Sequence, residues 1–362
     1  MSARAQAGVM QAIAIRRGSD APAVLELPRP EPSPGEALVR TLRVGVDGTD
    51  HEVIEGGHGG FPEGEEFLVL GHEAVGVVED PNGTSLERGD VVVPTVRRPP
   101  NGDPNGWFAR DQADMAPPEA TLERGIAGAH GFMSEYFTSE PEYLIRIPEE
   151  LAPLGFLVEP VSIAEKAIEH ANASRSAFDW RPESAMVIGN GSLGLLTLAL
   201  LEGYDRRYCV GRRDRPDPTI DIIERLGATY VDSRRTPVDR VADVHEPIDF
   251  AFEATGFARH PFEAIRALAP GGVLALLGVP EPWTFEVDGG SIHKDVVMNN
   301  KAVVGSVNSA KRHFRSATDH IASFPDWFVD AFVTGIHPVE EFEDAFVDDE
   351  TSIKRAVQFG TL

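Results

Sequence analysis

The chain has 362 residues, a length that suggests about two domains. Its 58 acidic and 33 basic residues give a net charge of −25, which argues against nucleic-acid and anionic-membrane partners because these favour basic patches. The sequence has no apolar run of about 18 residues, so no membrane span is predicted. Residues 1–18 also lack the apolar run of a signal peptide, and we therefore expect a cytoplasmic protein. The single cysteine, Cys209, excludes an internal disulfide and any four-cysteine zinc module.

The basic residues are almost all arginine, and the acidic residues are dispersed along the chain rather than gathered in a tail. Such an acidic surface repels itself in dilute buffer, whereas molar salt shortens the screening length to about 3 Å and removes that repulsion. We therefore favour a protein adapted to high salt. The alternative is an ordinary acidic protein from a GC-rich genome, in which codon bias replaces lysine by arginine.

In chain order, the first 150 residues predict short strands separated by clusters of proline and glycine. Residues 101–125, which we call the lobe, are polar, rich in proline and glycine, and without clear periodicity, so they predict a long surface segment. Helical spacing begins near Leu157, and strand and helix patterns then alternate. The predicted strands lie at 185–188, 208–210, 229–231, 248–253, 273–277 and 302–304, with helices at 193–201 and 219–226. This alternation predicts an α/β fold with a parallel, doubly wound sheet.

The pattern G-x-G-x-x-G occurs where the first of these strands ends and an apolar helix begins. It comprises Gly189, Asn190, Gly191, Ser192, Leu193 and Gly194. Glycines permit a tight turn and a close approach of the backbone to a pyrophosphate, which the N-terminus of the following helix favours through its free N–H groups. A plain glycine turn between strand and helix is the alternative, but this setting favours dinucleotide binding.

The second strand of the alternating region indicates which dinucleotide is bound. An NAD site usually carries an acidic residue there, whereas this strand ends in Gly211, Arg212 and Arg213. Gly211 leaves room for a phosphate that the two guanidinium groups can grip, so the sequence predicts NADP. Two solvated arginines are the alternative, and Asp214 follows closely enough that NAD is expected to be accepted as well.

Three separated segments offer ligands for a divalent metal. His72 follows Gly71 and precedes Glu73, a pair that alone would be an ordinary surface pair. Together with Asp47 and Glu159, His72 offers one nitrogen and two oxygen ligands, a set that suits catalytic zinc with an open position. Glu73 is either a further ligand or a residue that orients the others.

The same residues carry a family resemblance. G-H-E-x-x-G, followed about 120 residues later by the G-x-G-x-x-G turn, resembles the zinc-dependent medium-chain dehydrogenases/reductases over nearly the whole chain. That family usually reads C-G-[ST]-D where this chain has Asp47-Gly48-Thr49-Asp50. The acid in place of cysteine, the Gly-Arg-Arg sequence, G-I-x-G-x-H-G-F-M from Gly125 and G-S-V-N from Gly305 are similar to the glucose dehydrogenases of halophilic archaea.

The resemblance implies a GroES-like, mostly-β catalytic domain at 1–165, completed by 308–362, and a Rossmann NADP-binding domain at 166–307. It implies zinc at Asp47, His72, Glu73 and Glu159, and sugar contacts from Thr49, Glu123, Glu159 and Asn308. It places Leu277, Gly278, Val279, Ser306, Val307 and Asn308 along the nicotinamide half of the cofactor. Relatives often hold a structural zinc in the lobe, which lacks cysteine in this chain, so we expect that second ion to be absent.

The expected reaction is oxidation of D-glucose, and of other aldoses, at C1 to the aldonolactone with hydride transfer to NADP⁺. Thr49 is expected to relay the proton, with His51 or Glu159 as the next carrier. The resemblance also implies a homodimer or homotetramer joined near Val273–Val279. A zinc polyol or secondary-alcohol dehydrogenase, or a zinc-free NADP-binding protein, stays open, and Glu123 has the alternative of being a solvated acid of the lobe.

The dispersed acidic charge generates a first prediction. We expect the melting temperature to rise with KCl from dilute buffer to molar concentration, because screening weakens the self-repulsion of the folded chain. Thermal unfolding followed by circular dichroism measures this. A melting temperature that stays constant down to low salt would contradict adaptation to high salt.

Overall fold

The structure is a computed structural model that describes residues 8–100, 106–347, 349 and 351–362. No helix among these residues is long and apolar enough to cross a membrane. The chain divides into two compact units. The first comprises Met1–Ser162, Asn308–Ser323 and Val333–Leu362, and the second comprises Ile163–Val307 and Phe324–Phe332.

The strands are spread over both halves of the chain and are numbered in chain order. They are β1 Val9–Arg16, β2 Ala23–Pro28, β3 Ala37–Val46, β4 Phe67–Val69, β5 Glu73–Asp80, β6 Val91–Pro94, β7 Arg97–Arg98, β8 Leu122–Arg124, β9 Gly128–Ala129, β10 Tyr136–Ser139, β11 Leu144–Arg146, β12 Ser184–Ile188, β13 Arg206–Gly211, β14 Thr229–Asp232, β15 Ile248–Glu253, β16 Leu268–Leu276, β17 Ala302–Gly305, β18 Val333–Pro338 and β19 Lys354–Gln358.

Helices are fewer and mostly belong to the second half of the chain. The α-helices are α1 Gly48–Ile54, α2 Val158–Ser174, α3 Ser192–Leu200, α4 Pro218–Arg225, α5 Val241–Val244, α6 His260–Ala267, α7 Gly289–Met298, α8 Lys311–Ile321, α9 Asp326–Phe332 and α10 Phe342–Ala345. Short 3₁₀ helices include Phe108–Arg110, Ala113–Met115 and Pro118–Ala120 in the lobe, and Glu149–Leu157 before α2.

The first unit is mostly β structure, as the proline- and glycine-separated strand patterns predict. Its main sheet has the order β11-β6-β5-β3-β19-β18, and β10 also pairs with β3. Two three-stranded sheets, β2-β1-β4 and β7-β8-β9, complete it. β3 and β5 are buried along most of their length. These two strands, with β19, therefore form a rigid platform for the residues at their ends.

The second unit contains one parallel sheet of order β14-β13-β12-β15-β16-β17. All five residues of β12 are buried, as expected for a central parallel strand with both faces covered. The predicted doubly wound sheet is confirmed, and the predicted strands differ from the observed ones mainly at their ends.

One segment of the second unit differs from the sequence-based expectation. Phe324–Phe332, expected in the catalytic domain, belongs to this unit. The reason is its packing on α4, where the Arg225 guanidinium lies 4.1 Å from the centre of the Trp327 ring. In addition, β16, which carries most of Val273–Val279, is paired on both sides, so an oligomer that extended this sheet would have to use the edge strand β17. The oligomeric state itself stays a prediction.

Candidate functional site

Asp47 is held in place by the helix that it caps. It precedes α1 in an extended conformation, and its Oδ1 accepts hydrogen bonds from the N–H groups of Thr49, at 2.9 Å, and Asp50, at 3.2 Å. Its second oxygen, Oδ2, accepts the Thr49 hydroxyl at 3.1 Å. A carboxylate is well suited to this position because it satisfies free N–H groups of the first helical turn. One oxygen thus caps the helix while the other remains directed to the site.

Asp50 is a site residue that sequence reasoning missed. Its side chain is buried, and Oδ2 accepts the N–H of Asp47 at 3.2 Å, which completes a capping box. Its other oxygen, Oδ1, accepts the N–H of Gly71 at 3.2 Å. Asp50 therefore ties the start of α1 to the segment that carries His72. The spacing Asp-x-x-Asp at the start of α1, which is typical of a capping box, was the available signal.

The backbone behind His72 is packed too closely for side chains. Gly71 has φ +84°, and a Cβ atom on Gly125 or Gly131 would lie 2.4 Å from the carbonyl oxygen of Gly71. The N–H of Phe132 donates to that same oxygen at 2.9 Å. The sequence G-I-x-G-x-H-G-F-M, noted above as a family resemblance, therefore has a local role: its glycines let one segment support the turn that presents His72.

His72 is buried next to Asp47, with 3.6 Å between His72 Nε2 and Asp47 Oδ2. Burial alone would lower the pKa of His72, but the negative charges of Asp47, Asp50 and Glu159 together outweigh burial and raise that pKa well above its ordinary value. Burial would likewise raise the pKa of Asp47, and the interaction with His72 instead lowers it. The Nδ1 atom of His72 is buried without a hydrogen-bond partner among the described residues. Without a metal, the pair is therefore ionic.

Glu159 and Asp50 behave differently from Asp47. Glu159 lies in the first turn of α2 and is buried. Burial, followed by the negative charges of Glu73 and Asp47, raises the pKa of Glu159 to about 8. Burial, followed by the negative charges of Asp47 and Glu73, raises the pKa of Asp50 to about 7. Both carboxyl groups therefore hold protons near neutral pH in the absence of a cation.

Glu73 is paired with a lysine that the sequence analysis did not single out. Lys354, from β19, donates to Glu73 Oε2 and, at 3.0 Å, to the carbonyl oxygen of Val46. Both side chains are 1% exposed. Gly45 makes the pair possible, because a Cβ atom there would overlap Glu73 Oε2. Glu73 and Lys354 lie 281 residues apart in the chain, so no local pattern relates them.

The ligand atoms form two groups that share His72. Those of Asp47, Asp50 and His72 lie within 4.8 Å of one another, and so do those of His72, Glu73 and Glu159. Zinc bonds of about 2.0–2.2 Å in a tetrahedral site place ligand atoms about 3.4 Å apart. The donor types and the 3.6 Å separation of His72 from Asp47 therefore fit zinc. Of the predicted ligands, all four lie in this cluster.

Of the residues proposed to contact sugar, Thr49 and Glu159 lie at this cluster, whereas Glu123 and Asn308 lie in other parts of the first unit. Glu123 is in β8, and its Oε1 accepts a hydrogen bond from Arg97 Nε at 2.9 Å. Asn308 has φ +56° and lines a cavity of about 240 Å³ together with Arg97. His51, named above as a proton carrier, is in α1, with its ring 6.0 Å from and edge-on to Phe346. His51 belongs to neither ligand group.

The glycine turn of the second unit has the shape that a pyrophosphate needs. Gly189 has φ +114°, and a Cβ atom on Gly194 would lie 2.0 Å from the Gly189 carbonyl oxygen. A Cβ atom on Gly191 would meet nothing within 4 Å, so this side of the turn is open. The helix α3 begins at Ser192 and offers the N–H groups of its first turn. Gly189 thus forms the tight turn, Gly194 permits the close contact between helix and strand, and Gly191 leaves the approach open.

Gly211 serves a contact that the sequence analysis did not foresee. A Cβ atom there would lie 2.5 Å from Asn190 Oδ1, so the space expected for a phosphate accommodates the Asn190 side chain instead. Asn190 Nδ2 in turn donates to Thr219 Oγ1 at 2.6 Å. Gly211 therefore lets the glycine turn bind to the start of α4, and the absence of its side chain is not evidence for a phosphate.

The arginines at the end of β13 differ in their surroundings. Arg212 is exposed, whereas Arg213 lies 3.5 Å from Asp217. Asp214 is held by Arg234 through bonds of 2.6 and 2.9 Å, and this pairing lowers the pKa of Asp214. Arg234 was not singled out from the sequence. Since Asp214 is already paired, it is less available to bind a ribose hydroxyl.

The segments expected beside the nicotinamide follow the carboxyl ends of β16 and β17. Leu277–Val279 comes directly after β16, and a Cβ atom on Gly278 would lie 2.0 Å from the backbone nitrogen of Gly256. After β17, Lys166 Nζ donates to the Val307 carbonyl oxygen at 2.9 Å. In open α/β sheets, ligands bind outside the carboxyl ends of the strands, where the glycine turn also lies.

Comparisons with known proteins agree with this architecture. The family described as glucose dehydrogenase C-terminus matches residues 152–359, and the alcohol dehydrogenase GroES-like domain matches residues 33–149. The chain is 66% identical over 357 residues to glucose 1-dehydrogenase of Haloferax mediterranei, covering 98% of this chain and 100% of the relative. It is 62% identical over 356 residues to glucose 1-dehydrogenase of Halobacterium salinarum, covering 97% and 100%.

A solved structure is similar over the same length. It is Haloferax mediterranei glucose dehydrogenase in complex with NADP, Zn and gluconolactone, with a TM-score of 0.96, 66% identity, and coverage of 98% of this chain and 100% of that chain. These matches confirm the resemblance that G-H-E-x-x-G and the glycine turn suggested. The chain therefore belongs to the glucose dehydrogenases of the medium-chain dehydrogenase/reductase family.

Proposed function

We propose that this chain oxidises D-glucose at C1 to the aldonolactone and transfers the hydride to NADP⁺, with zinc as its metal. The observation that carries the proposal is the buried cluster around His72, whose donor atoms and spacing fit zinc. It occurs in a chain that is 66% identical to an enzyme whose structure holds NADP, Zn and gluconolactone. The carboxylates of Glu123 and Glu159 suit a substrate with many hydroxyl groups, since each can accept from several.

The residues that would hold zinc are Asp47, His72 and Glu159. Glu73 supports the site rather than ligating, because its Oε2 is already bound to the buried ammonium group of Lys354. When bound, zinc supplies Lewis-acid chemistry, which acidifies an alcohol. Asp47 is a hard oxygen ligand in place of the usual thiolate, so we expect weaker retention of zinc and some activity with other divalent ions.

The chain's own residues orient the site and move the proton. Thr49 Oγ1 donates to Asp47 Oδ2 at 3.1 Å and is the hydroxyl group proposed to accept the substrate proton. Glu159 is the better placed of the two candidate carriers, since it belongs to the ligand cluster and His51 does not. The Asp50 carboxylate fixes the position of Asp47 relative to His72.

The activity is tested with a substrate and metal panel in high salt. We expect NADP-dependent oxidation of glucose, galactose or xylose to exceed that of sorbitol and 2-propanol, to disappear on chelation, and to return with zinc. His72→Asn should abolish stoichiometric zinc and activity, whereas His58→Asn, on an exposed histidine, is the matched control. Faster oxidation of sorbitol or 2-propanol would support the polyol or secondary-alcohol alternative. Activity indifferent to chelators, without stoichiometric zinc, would exclude a zinc mechanism.

Raised pKa values in the cluster predict how pH affects the metal-free protein. The folded-state pKa values of Glu159, about 8, and Asp50, about 7, exceed the ordinary values of about 4.3 and 3.9. Between these limits the folded chain binds more protons than the unfolded chain, so the free energy of unfolding should fall as pH rises. We expect the melting temperature of chelated protein to drop from pH 5 to 8 at constant KCl.

Zinc should reverse the fall of the melting temperature with pH, because zinc binding displaces protons and becomes stronger as pH rises. Glu159→Gln removes one titrating group and should flatten the pH dependence of the chelated protein while reducing the stabilisation that zinc provides. The measurement is a melting curve at each pH with chelator or with zinc. A chelated protein whose melting temperature increases over this range would contradict the proposed protonation of the cluster.

The cofactor preference is tested at the end of β13. Arg212→Ala with Arg213→Ala should raise KM for NADP about tenfold or more, because charge-assisted bonds to a phosphate are lost. KM for NAD should change much less. Arg181→Ala removes a positive charge from a side chain that is 82% exposed and serves as the control. Equal effects on NADP and NAD would defeat the assignment of these arginines to the 2′-phosphate.

A further inference from the structure

Arg97 is a buried cation in the first unit that neither the sequence motifs nor the proposed chemistry uses. Its side chain is 4% exposed, which for an arginine requires that its donors be paired. It belongs to β7, the short strand that pairs antiparallel with β8. In that register Arg97 lies directly opposite Glu123, the acid proposed to contact the sugar.

The guanidinium group joins two different parts of the chain. Its Nε donates to Glu123 Oε1 at 2.9 Å. Its Nη1 donates to the carbonyl oxygens of Ala113, Asp114 and Ala116 at 3.2, 3.2 and 2.9 Å. Ala113 and Asp114 belong to the 3₁₀ helix Ala113–Met115, and Ala116 is the residue that caps its C-terminus. One side chain thus cross-links the lobe backbone to the Glu123 carboxylate.

This cross-link occurs in a lobe that contains no cysteine. A planar guanidinium group with five N–H donors can bind several carbonyls and a carboxylate at once and does not lose its proton. A lysine in the same place would offer a single point charge and could not reproduce the fork. Arg97 therefore connects the backbone of the described part of the lobe, residues 106–125, to the Glu123 carboxylate.

The lobe also contacts the segment that carries Asn308. Lys311 Nζ, at the start of α8, lies 2.9 Å from Asp111 Oδ1 in the lobe. The cavity of about 240 Å³ lies beside this ion pair, with Arg97 and Asp111 among its lining residues and Asn308 and Lys311 completing it from the other segment. Glu123, through Arg97, and the segment of Asn308, through Lys311, are thus both connected to the lobe.

We propose that Arg97 is a positioning residue for the sugar: it fixes the Glu123 carboxylate and orders the lobe against the Asn308 segment. One oxygen of Glu123 is bound to Arg97, so its second oxygen is the one directed to a substrate hydroxyl. This inference rests on the proposed function, in which Glu123 and Asn308 contact the sugar.

The test compares Arg97→Lys with Arg110→Lys, an identical change on an exposed arginine of the same lobe. In the holoenzyme, Arg97→Lys should raise KM for glucose about tenfold, which corresponds to about 1.4 kcal/mol. KM for NADP should change less than about twofold, because Arg97 belongs to the first unit and the glycine turn to the second. Glu123→Gln should raise KM for glucose similarly. If Arg97 acts through Glu123, adding Arg97→Lys to Glu123→Gln should have little further effect.

Hydrogen exchange of residues 106–120 gives a readout that does not depend on activity. Exchange there should accelerate in Arg97→Lys and not in Arg110→Lys. The proposal is overturned if Arg97→Lys multiplies KM for glucose by the same factor with or without Glu123→Gln, or if it changes KM for NADP as strongly. Unchanged exchange would overturn the role in the lobe. A wild-type chain without aldose activity would instead overturn the proposed function, and exchange would still decide the role in the lobe.

Discussion

The candidate site depends on one constraint: four carboxyl groups, three of them buried and that of Asp47 27% exposed, surround a single imidazole. Asp47, Asp50, Glu73 and Glu159 lie close enough to His72 to shift its pKa or share its ligand group. Buried charges of like sign are costly unless something neutralises them. In the metal-free chain, protons on Asp50 and Glu159, the imidazolium of His72 and the ammonium group of a buried lysine do this. A divalent cation would displace the protons, so metal binding and protonation are alternative ways to stabilise the same cluster.

The buried lysines of this acidic chain are also neutralised or hydrogen-bonded by internal groups. Three of its few lysines are buried, and each has an internal acceptor. Lys354 neutralises Glu73, Lys301 Nζ binds Asp295 at 2.8 Å, and Lys166 holds the backbone after β17. Beside the lobe, the buried cation bound to its backbone is an arginine, Arg97. Each of these three lysines thus has a specific internal acceptor, whereas arginines such as Arg181 and Arg212 lie on the surface.

Sequence reasoning reached the features that depend on local order. The parallel sheet, the glycine turn and the family follow from strand–turn–helix patterns and short motifs, and the structure and the comparisons confirm them. The roles of the individual site residues stay predictions. Lys354 was missed because its partner is 281 residues away, and Arg97 because a buried cation has no periodic signal. The order of strands in each sheet was equally hidden, because it depends on pairings between distant segments.

The acid at position 47 shows how local structure and site chemistry are joined in one side chain. A thiolate there would ligate zinc but would be a poor acceptor for the N–H groups at the start of α1. Asp47 serves both purposes, because Oδ1 caps the helix while Oδ2 faces His72. Glycines packed against Gly71 support the backbone turn that carries His72. The distance between the two groups is therefore set by backbone contacts and a helix cap, and only the protonation of the surrounding acids is left to respond to the metal.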